Sequence, residues 1–123
     1  MNIYVVIPCF NEIRTIKEII ESLNKIDLNL KIILIDDGST DGTKLLISKH
    51  LKKKIYKFIN LKNNYGKGYA INCSKKYIKS NSYVIIQDAD LEYDPKDFYK
   101  LYKCYLKNKN IKIIYGSRFL NKK

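Results

Sequence analysis

The stretch KIILIDDGSTDGT, from Lys31 to Thr43, decides the fold. Lys31 to Ile35 is a continuous, mostly β-branched apolar run, the pattern of a strand covered on both faces. The residues after it are turn formers and helix caps. A helix is predicted from Thr43 to Leu51, so the stretch reads strand, turn, helix. The same alternation continues outward in both directions. Asn2 to Ile7 is a β-branched run stopped by Pro8. Glu12 to Lys25 carries Ile13, Ile16, Ile19, Ile20 and Leu23 at helical spacing. Ile55 to Ile59 is a weaker strand, interrupted by Lys57, and Asn63 to Gly68 is a loop. Tyr69 to Lys79 reads as a helix and Tyr83 to Gln87 as a strand. Asp94-Pro95 opens a helix marked by Phe98, Leu101, Tyr102 and Tyr105, and Ile111 to Tyr115 is a fifth strand. Strands alternating with helices predict right-handed βαβ units: an α/β fold with a mostly parallel sheet and helices on both faces. Ligands of such sheets bind beyond the carboxyl ends of the strands. Pro8 to Glu12, Asp36 to Asp41, Asp88 to Asp94 and Gly116 to Arg118 all fall at such ends.

A chain of 123 residues is one domain, residues 1–123, with enough length for a real core. Its 46% hydrophobic content excludes a disordered chain despite a formal charge of +12. No uncharged apolar run, Ile32 to Ile35 included, comes near the roughly 20 residues of a membrane span. The short apolar N-terminal stretch meets Pro8 at once, so no secretory signal is expected. Arg14 and Arg118 are the only arginines among 24 basic residues, and the sequence is also rich in Ile, Asn and Tyr. These residues share A/T-rich codons, so compositional drift is the main reading of the charge. An anionic partner, nucleic acid or lipid, is the other. Readers of nucleic acid favour arginine for bidentate contacts, which argues against that partner. Cys9, Cys73 and Cys104 are odd in number and widely spaced, pointing to reduced thiols in a cytoplasmic protein. His50, in a lysine-rich helical stretch, reads as a surface residue.

The carboxylates are gathered. Of 12 acidic residues, Asp36, Asp37 and Asp41 form one group, and Asp88, Asp90, Glu92, Asp94 and Asp97 another. Asp88 and Asp90 flank Ala89 just after a strand that reads as buried, where both can face a hard cation such as Mg²⁺ or Mn²⁺. Such an ion would bridge and neutralise a diphosphate. A calcium loop fails, because Tyr93 stands where that loop needs glycine and Tyr99 where it needs glutamate. A plain acidic turn capping the next helix is the competing reading. Glu92, Asp94 and Asp97 fit helix-start carboxylates. Asp36 and Asp37 can accept from a nucleobase N–H or a ribose hydroxyl. The glycine spacing there matches neither a dinucleotide fingerprint nor a P-loop. In Asn63 to Gly68, glycine permits close backbone approach and Lys67 adds a point charge suited to phosphate. Arg118, after the fifth strand, suggests phosphate binding.

Together these segments resemble glycosyltransferase family 2. VVIPCFNE (Val5 to Glu12), ILIDDGSTDGT (Ile33 to Thr43), NYGKGYAI (Asn64 to Ile71), IIQDADLEYDP (Ile85 to Pro95) and YGSRF (Tyr115 to Phe119) carry the resemblance, in the family's order. They look most like the polyprenyl-phosphate sugar transferases of the dolichol-phosphate mannose synthase type. The resemblance implies an A-type glycosyltransferase fold, Rossmann-like, and a divalent metal, Mg²⁺ or Mn²⁺. It implies a nucleotide-sugar donor such as GDP-mannose or UDP-glucose, and inversion at the anomeric carbon. By position, Pro8, Phe10 and Glu12 would line the base and ribose pocket, and Asp37 would contact the base. Asp88 would sit by ribose and metal, and Ala89 under the nucleotide. Asp90 would be the principal metal ligand and a catalytic residue, with Glu92 a further metal-side residue. Arg118 would act catalytically on a loop near the donor or acceptor phosphate.

The family's domain usually runs on for about another hundred residues, a length typical of a complete enzyme domain. The chain is therefore expected to be the N-terminal, donor-binding half, with the acceptor side supplied from elsewhere, for example by a partner chain. The expected acceptor is polyprenyl phosphate or another glycan or lipid, with peripheral contact to an anionic membrane surface. A non-catalytic nucleotide-sugar-binding module, or half of a split enzyme, is the alternative. A basic nucleic-acid-binding protein is the third reading.

Overall fold

The computed structural model describes residues 2–90 and 97–107. Four strands are present among them: β1 (Ile3–Cys9), β2 (Leu30–Asp37), β3 (Lys57–Leu61) and β4 (Tyr83–Ile86). They form one parallel sheet in the order β3-β2-β1-β4. The helices are α1 (Ile16–Asn24), α2 (Thr43–Leu46), α3 (Lys67–Cys73) and α4 (Phe98–Lys107). The fifth strand, the Asp94-Pro95 start of the helix whose body is α4, and the segment Gly116 to Arg118 lie outside the described residues.

Side-chain alternation splits β1 and β2 between two cores. Val5, Ile7, Ile32 and Leu34 pack against Ile16, Ile19, Ile20 and Leu23 of α1, with Ile47, Leu51 and Phe98. Tyr4, Val6, Ile33 and Ile35 pack on the opposite face with Ala70 of α3. Full burial of each large aliphatic side chain contributes about 1.5–3 kcal/mol. Covering on both faces is the reason these strands read as unbroken apolar runs. β4 differs: Val84 and Ile86 are 46% and 51% exposed, so it is not the buried strand expected before Asp88.

Three elements depart from the periodicity. The helix expected over Tyr69 to Lys79 starts at Lys67, ends at Cys73 and is followed by a 3₁₀ turn at Lys75–Tyr77. The third strand begins at Lys57, not Ile55, and pairs Lys57 with Ile33. Ile55 packs against the α1-side core, while the Lys57 ammonium lies 4.7 Å from the Tyr77 ring centre. A cation over an aromatic face lets lysine hold a strand position that apolar counting rejects. After α2, the expected helix widens into a π-helical turn at Ile47–Leu51 and tightens into a 3₁₀ turn at Lys52–Lys54. Residues four apart in an α-helix drift about 40° around its axis. A wider turn takes back that drift, and Thr43, Ile47 and Leu51 are all fully buried.

Candidate active site

The carboxyl ends of the strands bring three loops together. Asp36 and Asp37, adjacent in sequence, point to opposite sides of β2 and do different work. Asp36 is fully buried. Its carboxylate accepts from the Ser39 backbone N–H at 3.1 Å and the Ser39 hydroxyl at 2.5 Å. The Cys9 thiol lies 3.8 Å from Asp36 Oδ1. Burial first, then the Asp36 charge, pushes that thiol far above its ordinary value, so it is an inert core group. Asp37, 4% exposed, accepts from the Tyr65 N–H at 2.8 Å and the Gly66 N–H at 2.9 Å. One carboxylate therefore fixes the loop that leads into α3.

Gly38 makes this crossing possible. It has φ of +76°, and a Cβ there would lie 2.5 Å from the Asn63 carbonyl carbon and 2.6 Å from the Asn64 nitrogen. The conformation and the close backbone approach both require glycine.

The loop after β1 is laced to the same turn. Asn11, at φ of +52°, accepts from the Thr40 N–H at 2.7 Å, and its own N–H donates to Ser39 Oγ at 2.9 Å. Asp41 accepts from Thr43 Oγ1 at 2.5 Å, Thr43 N–H at 3.0 Å and Ile13 N–H at 3.3 Å. Desolvation acts to raise the Asp41 carboxyl, but these hydrogen bonds together hold it below its ordinary value.

An open cleft of about 200 Å³ lies between the loops, lined by Pro8, Cys9, Phe10, Asp37, Asn64, Gly66 and Lys67. Four residues marked in the sequence, Pro8, Phe10, Asp37 and Lys67, thus share one cavity. Asp88 joins it through Lys67, whose ammonium lies 2.5 Å from Asp88 Oδ1. Ala89 is 4% exposed and belongs to the α1-side core, not the cleft lining. Asp90, after it, is exposed. Glu12 does not line the cleft either. Its Oε2 lies 3.0 Å from the Thr15 hydroxyl, which is also 2.5 Å from the Ala89 carbonyl oxygen. With one proton, that hydroxyl donates to one of them at a time. Thr15 thus tethers the Asp88–Asp90 turn to the start of α1. Glu92 and Arg118 lie outside the described residues.

Sequence reasoning missed Thr15, Asn11, Ser39 and Asn64 as parts of this site. Asn11 carried a legible signal, since Asn tolerates positive φ next to a proline-stopped strand. Thr15 and Ser39 also bond Glu12 and Asp36 three residues away, but their bonds to Ala89 and Asn11, and the place of Asn64 in the cleft, are set by the fold alone. A larger hollow of about 330 Å³ beside Glu21, Asn24, Lys25 and Lys54 holds no convergent carboxylates. It lies away from the strand ends and is bridged by the Glu21–Lys54 ion pair at 3.8 Å.

Among the described residues, no group of three or more His, Cys, Asp or Glu side chains converges on one point. The donor set at the Asp88–Asp90 turn is two carboxylates, hard oxygen ligands for Mg²⁺ or Mn²⁺. Such an ion takes the rest of its shell from water and phosphate oxygens. The Lys67 ammonium already serves as a cation on Asp88, so the residues fit the group.

Residues 4–122 match the family model described as glycosyl transferase family 2. An uncharacterized protein of Methanocaldococcus jannaschii is 33% identical over 119 residues, covering 92% of this chain and 50% of that one. The poly-beta-1,6-N-acetyl-D-glucosamine synthase of Staphylococcus epidermidis is 32% identical over 118 residues, 94% of this chain and 28% of that one. The chain thus spans half or less of the length of these relatives. Among solved structures, S. aureus TarS 1–349 in complex with UDP-GlcNAc superposes with a TM-score of 0.70 at 27% identity, covering 87% of this chain and 31% of that one. Glucosyl-3-phosphoglycerate synthase of Mycobacterium tuberculosis with Mn²⁺, UDP and glucosyl-3-phosphoglycerate gives 0.65 at 25%, covering 85% of this chain and 39% of that one. The parallel sheet with helices on both faces is the A-type glycosyltransferase arrangement of these neighbours.

Proposed function

The chain belongs to glycosyl transferase family 2, and from that premise we propose that its cleft binds a nucleoside-diphosphate sugar for transfer to an acceptor. The observation that carries the reading is the meeting of Pro8, Phe10, Asp37 and Lys67 in one cleft beside Asp88. Phe10, 42% exposed, and Pro8 offer an apolar wall for a base. Asp37 lines the same cleft, and its carboxylate keeps lone pairs beyond the two bonds to the loop. Lys67 supplies a mobile positive charge for the phosphates. A divalent cation held by Asp88 and Asp90 would neutralise charge on the diphosphate as it leaves. In-line attack by the acceptor inverts the anomeric carbon.

For the donor, the neighbours' complexes favour a uridine nucleotide, with UDP-GlcNAc as the first candidate, and GDP-mannose, implied by the motifs, as the second. For the acceptor, the names of the synthase relatives favour a glycan hydroxyl over the polyprenyl phosphate implied by the motifs. The three free thiols, buried at Cys9, half-buried at Cys73 and exposed at Cys104, suit a reducing, cytoplasmic setting. Among the described residues no helix is long and apolar enough to cross a membrane.

Calorimetry with UDP-GlcNAc and GDP-mannose, each with and without Mn²⁺, tests the donor reading. Metal-dependent binding that is lost in Asp90→Ala is expected. Binding indifferent to metal and to Asp90→Ala refutes it. Transfer of labelled sugar to glycan or to polyprenyl phosphate, in separate assays, discriminates the acceptors.

A further inference from the structure

We propose that Lys67 is a built-in counter-cation that keeps Asp88 closed to metal until a diphosphate draws its ammonium away. The inference rests on the donor reading above and adds an order to it: cation and nucleotide enter as a unit, and the cation alone binds poorly.

The argument starts from how Lys67 is held. Gly66, at φ of +101°, gives its N–H to Asp37, so the backbone entering α3 is anchored. From that anchored point the Lys67 side chain lines the cleft and reaches the end of β4, where Nζ meets Asp88 Oδ1 at 2.5 Å. The ammonium therefore stands on the boundary between the nucleotide cleft and the carboxylate turn. A divalent cation ligated by Asp88 needs oxygen atoms at about 2.0–2.2 Å. An ammonium on that carboxylate weakens its hold on the ion, because the two positive charges repel at short range.

The pair is also built to open. Lys67 is 56% exposed at its side chain and Asp88 30%, so solvent screens the attraction. An exposed pair of this kind is worth little, and a flexible four-carbon stem costs little to turn. A diphosphate in the cleft offers the ammonium more negative charge than one carboxylate does. Moving Lys67 onto it frees Asp88 at the moment when phosphate oxygens arrive to complete a metal's shell. By reciprocity, the nucleotide then tightens the metal and the metal tightens the nucleotide by the same factor.

Mn²⁺ binding read from the free-ion electron paramagnetic resonance signal tests this without any turnover. MnCl₂ is titrated alone and with UDP, after subtraction of the UDP–Mn²⁺ complex formed without protein. The proteins are wild type, Lys67→Met and Lys67→Arg, with circular dichroism to confirm folding. Lys67→Met is expected to bind Mn²⁺ alone about two- to fivefold tighter, the scale of one exposed ion pair. The factor by which UDP tightens Mn²⁺ falls by at least as much in that variant. Lys67→Arg keeps both wild-type values within about twofold, since it retains the charge. Unchanged or weaker Mn²⁺ binding by folded Lys67→Met overturns the proposal, as does an undiminished effect of UDP. If none of the proteins binds Mn²⁺ even with UDP, the donor reading itself has failed, and the gate with it.

Discussion

Replacing Asp37 by asparagine removes one oxygen acceptor and a charge from the pocket wall and leaves the volume unchanged. In the native structure both carboxylate oxygens are used: Tyr65 N–H donates at 2.8 Å and Gly66 N–H at 2.9 Å. Hydrogen bonds to a charged group each contribute about 1.5–3 kcal/mol. Asparagine keeps one neutral bond and turns its NH₂ toward the second N–H, which then has no acceptor. Tyr65 is 51% exposed, so the freed N–H can turn to water, and the loss is discounted. We expect the loop over 63–66 to open about 1–3 kcal/mol more easily. In Asp37→Asn, amide hydrogen exchange at Tyr65 and Gly66 should therefore speed up by about 10- to 100-fold. The amides of Val5 and Val6, in the fully buried β1, should change much less. If they accelerate as much as Tyr65 and Gly66, the effect is global unfolding and the clamp reasoning is wrong. No change at Tyr65 and Gly66 would refute it equally.

Three further outcomes follow from the site. Gly38→Ala combines a left-handed backbone, costing about 1–2 kcal/mol, with a Cβ 2.5 Å from the Asn63 backbone. Urea unfolding should show a loss above about 2 kcal/mol, and a loss within the roughly 0.5 kcal/mol of an ordinary surface change would contradict the crossing. Thr15→Val removes the hydroxyl beside the Ala89 carbonyl and should cost about 1 kcal/mol in the same assay, with Thr15→Ser restoring it; equal stability of Thr15→Val and wild type would show that the tether carries no load. Asp41 titrates below its ordinary value in the folded chain, so the unfolded chain binds more protons. Its stabilisation is present above the ordinary aspartate value and is lost as pH falls through the folded one. Asp41→Asn should flatten the acid limb of a plot of stability against pH below about pH 4, and an unchanged slope would show that its hydrogen bonds do not favour the ionised form.

Lysine illustrates how composition and structure divide the explanation. The abundance of lysine fits codon drift, yet individual lysines have packing roles. The Lys31 ammonium lies 5.1 Å from the Tyr56 ring centre and 5.7 Å from that of Tyr4, and Lys57 and Lys76 both face Tyr77. Long aliphatic stems with aromatic partners let a lysine-rich chain cover its apolar surface.

The local sequence was sufficient for the α/β alternation and for the site's position at the strand ends. Unbroken apolar runs such as Ile32 to Ile35 fit strands of a parallel sheet covered on both faces, and the glycine and aspartate turns that follow fit the strand ends. Boundaries failed where a distant partner overruled local preference: Lys57 enters β3 because Tyr77 receives its charge, and Ile55 leaves it for the core. The division of labour between Asp36 and Asp37 was also hidden. Two adjacent carboxylates look alike in a sequence, but strand alternation sends one to Ser39 and Cys9 and the other to Tyr65 and Gly66. The pairing of Lys67 with Asp88 joins residues 21 positions apart. Sequence determined which chemical groups gather at the strand ends, because local backbone preference and hydrophobic burial act along the chain. Tertiary structure decided which of those groups face the cleft, because only the packing of one loop on another sets which charge meets which.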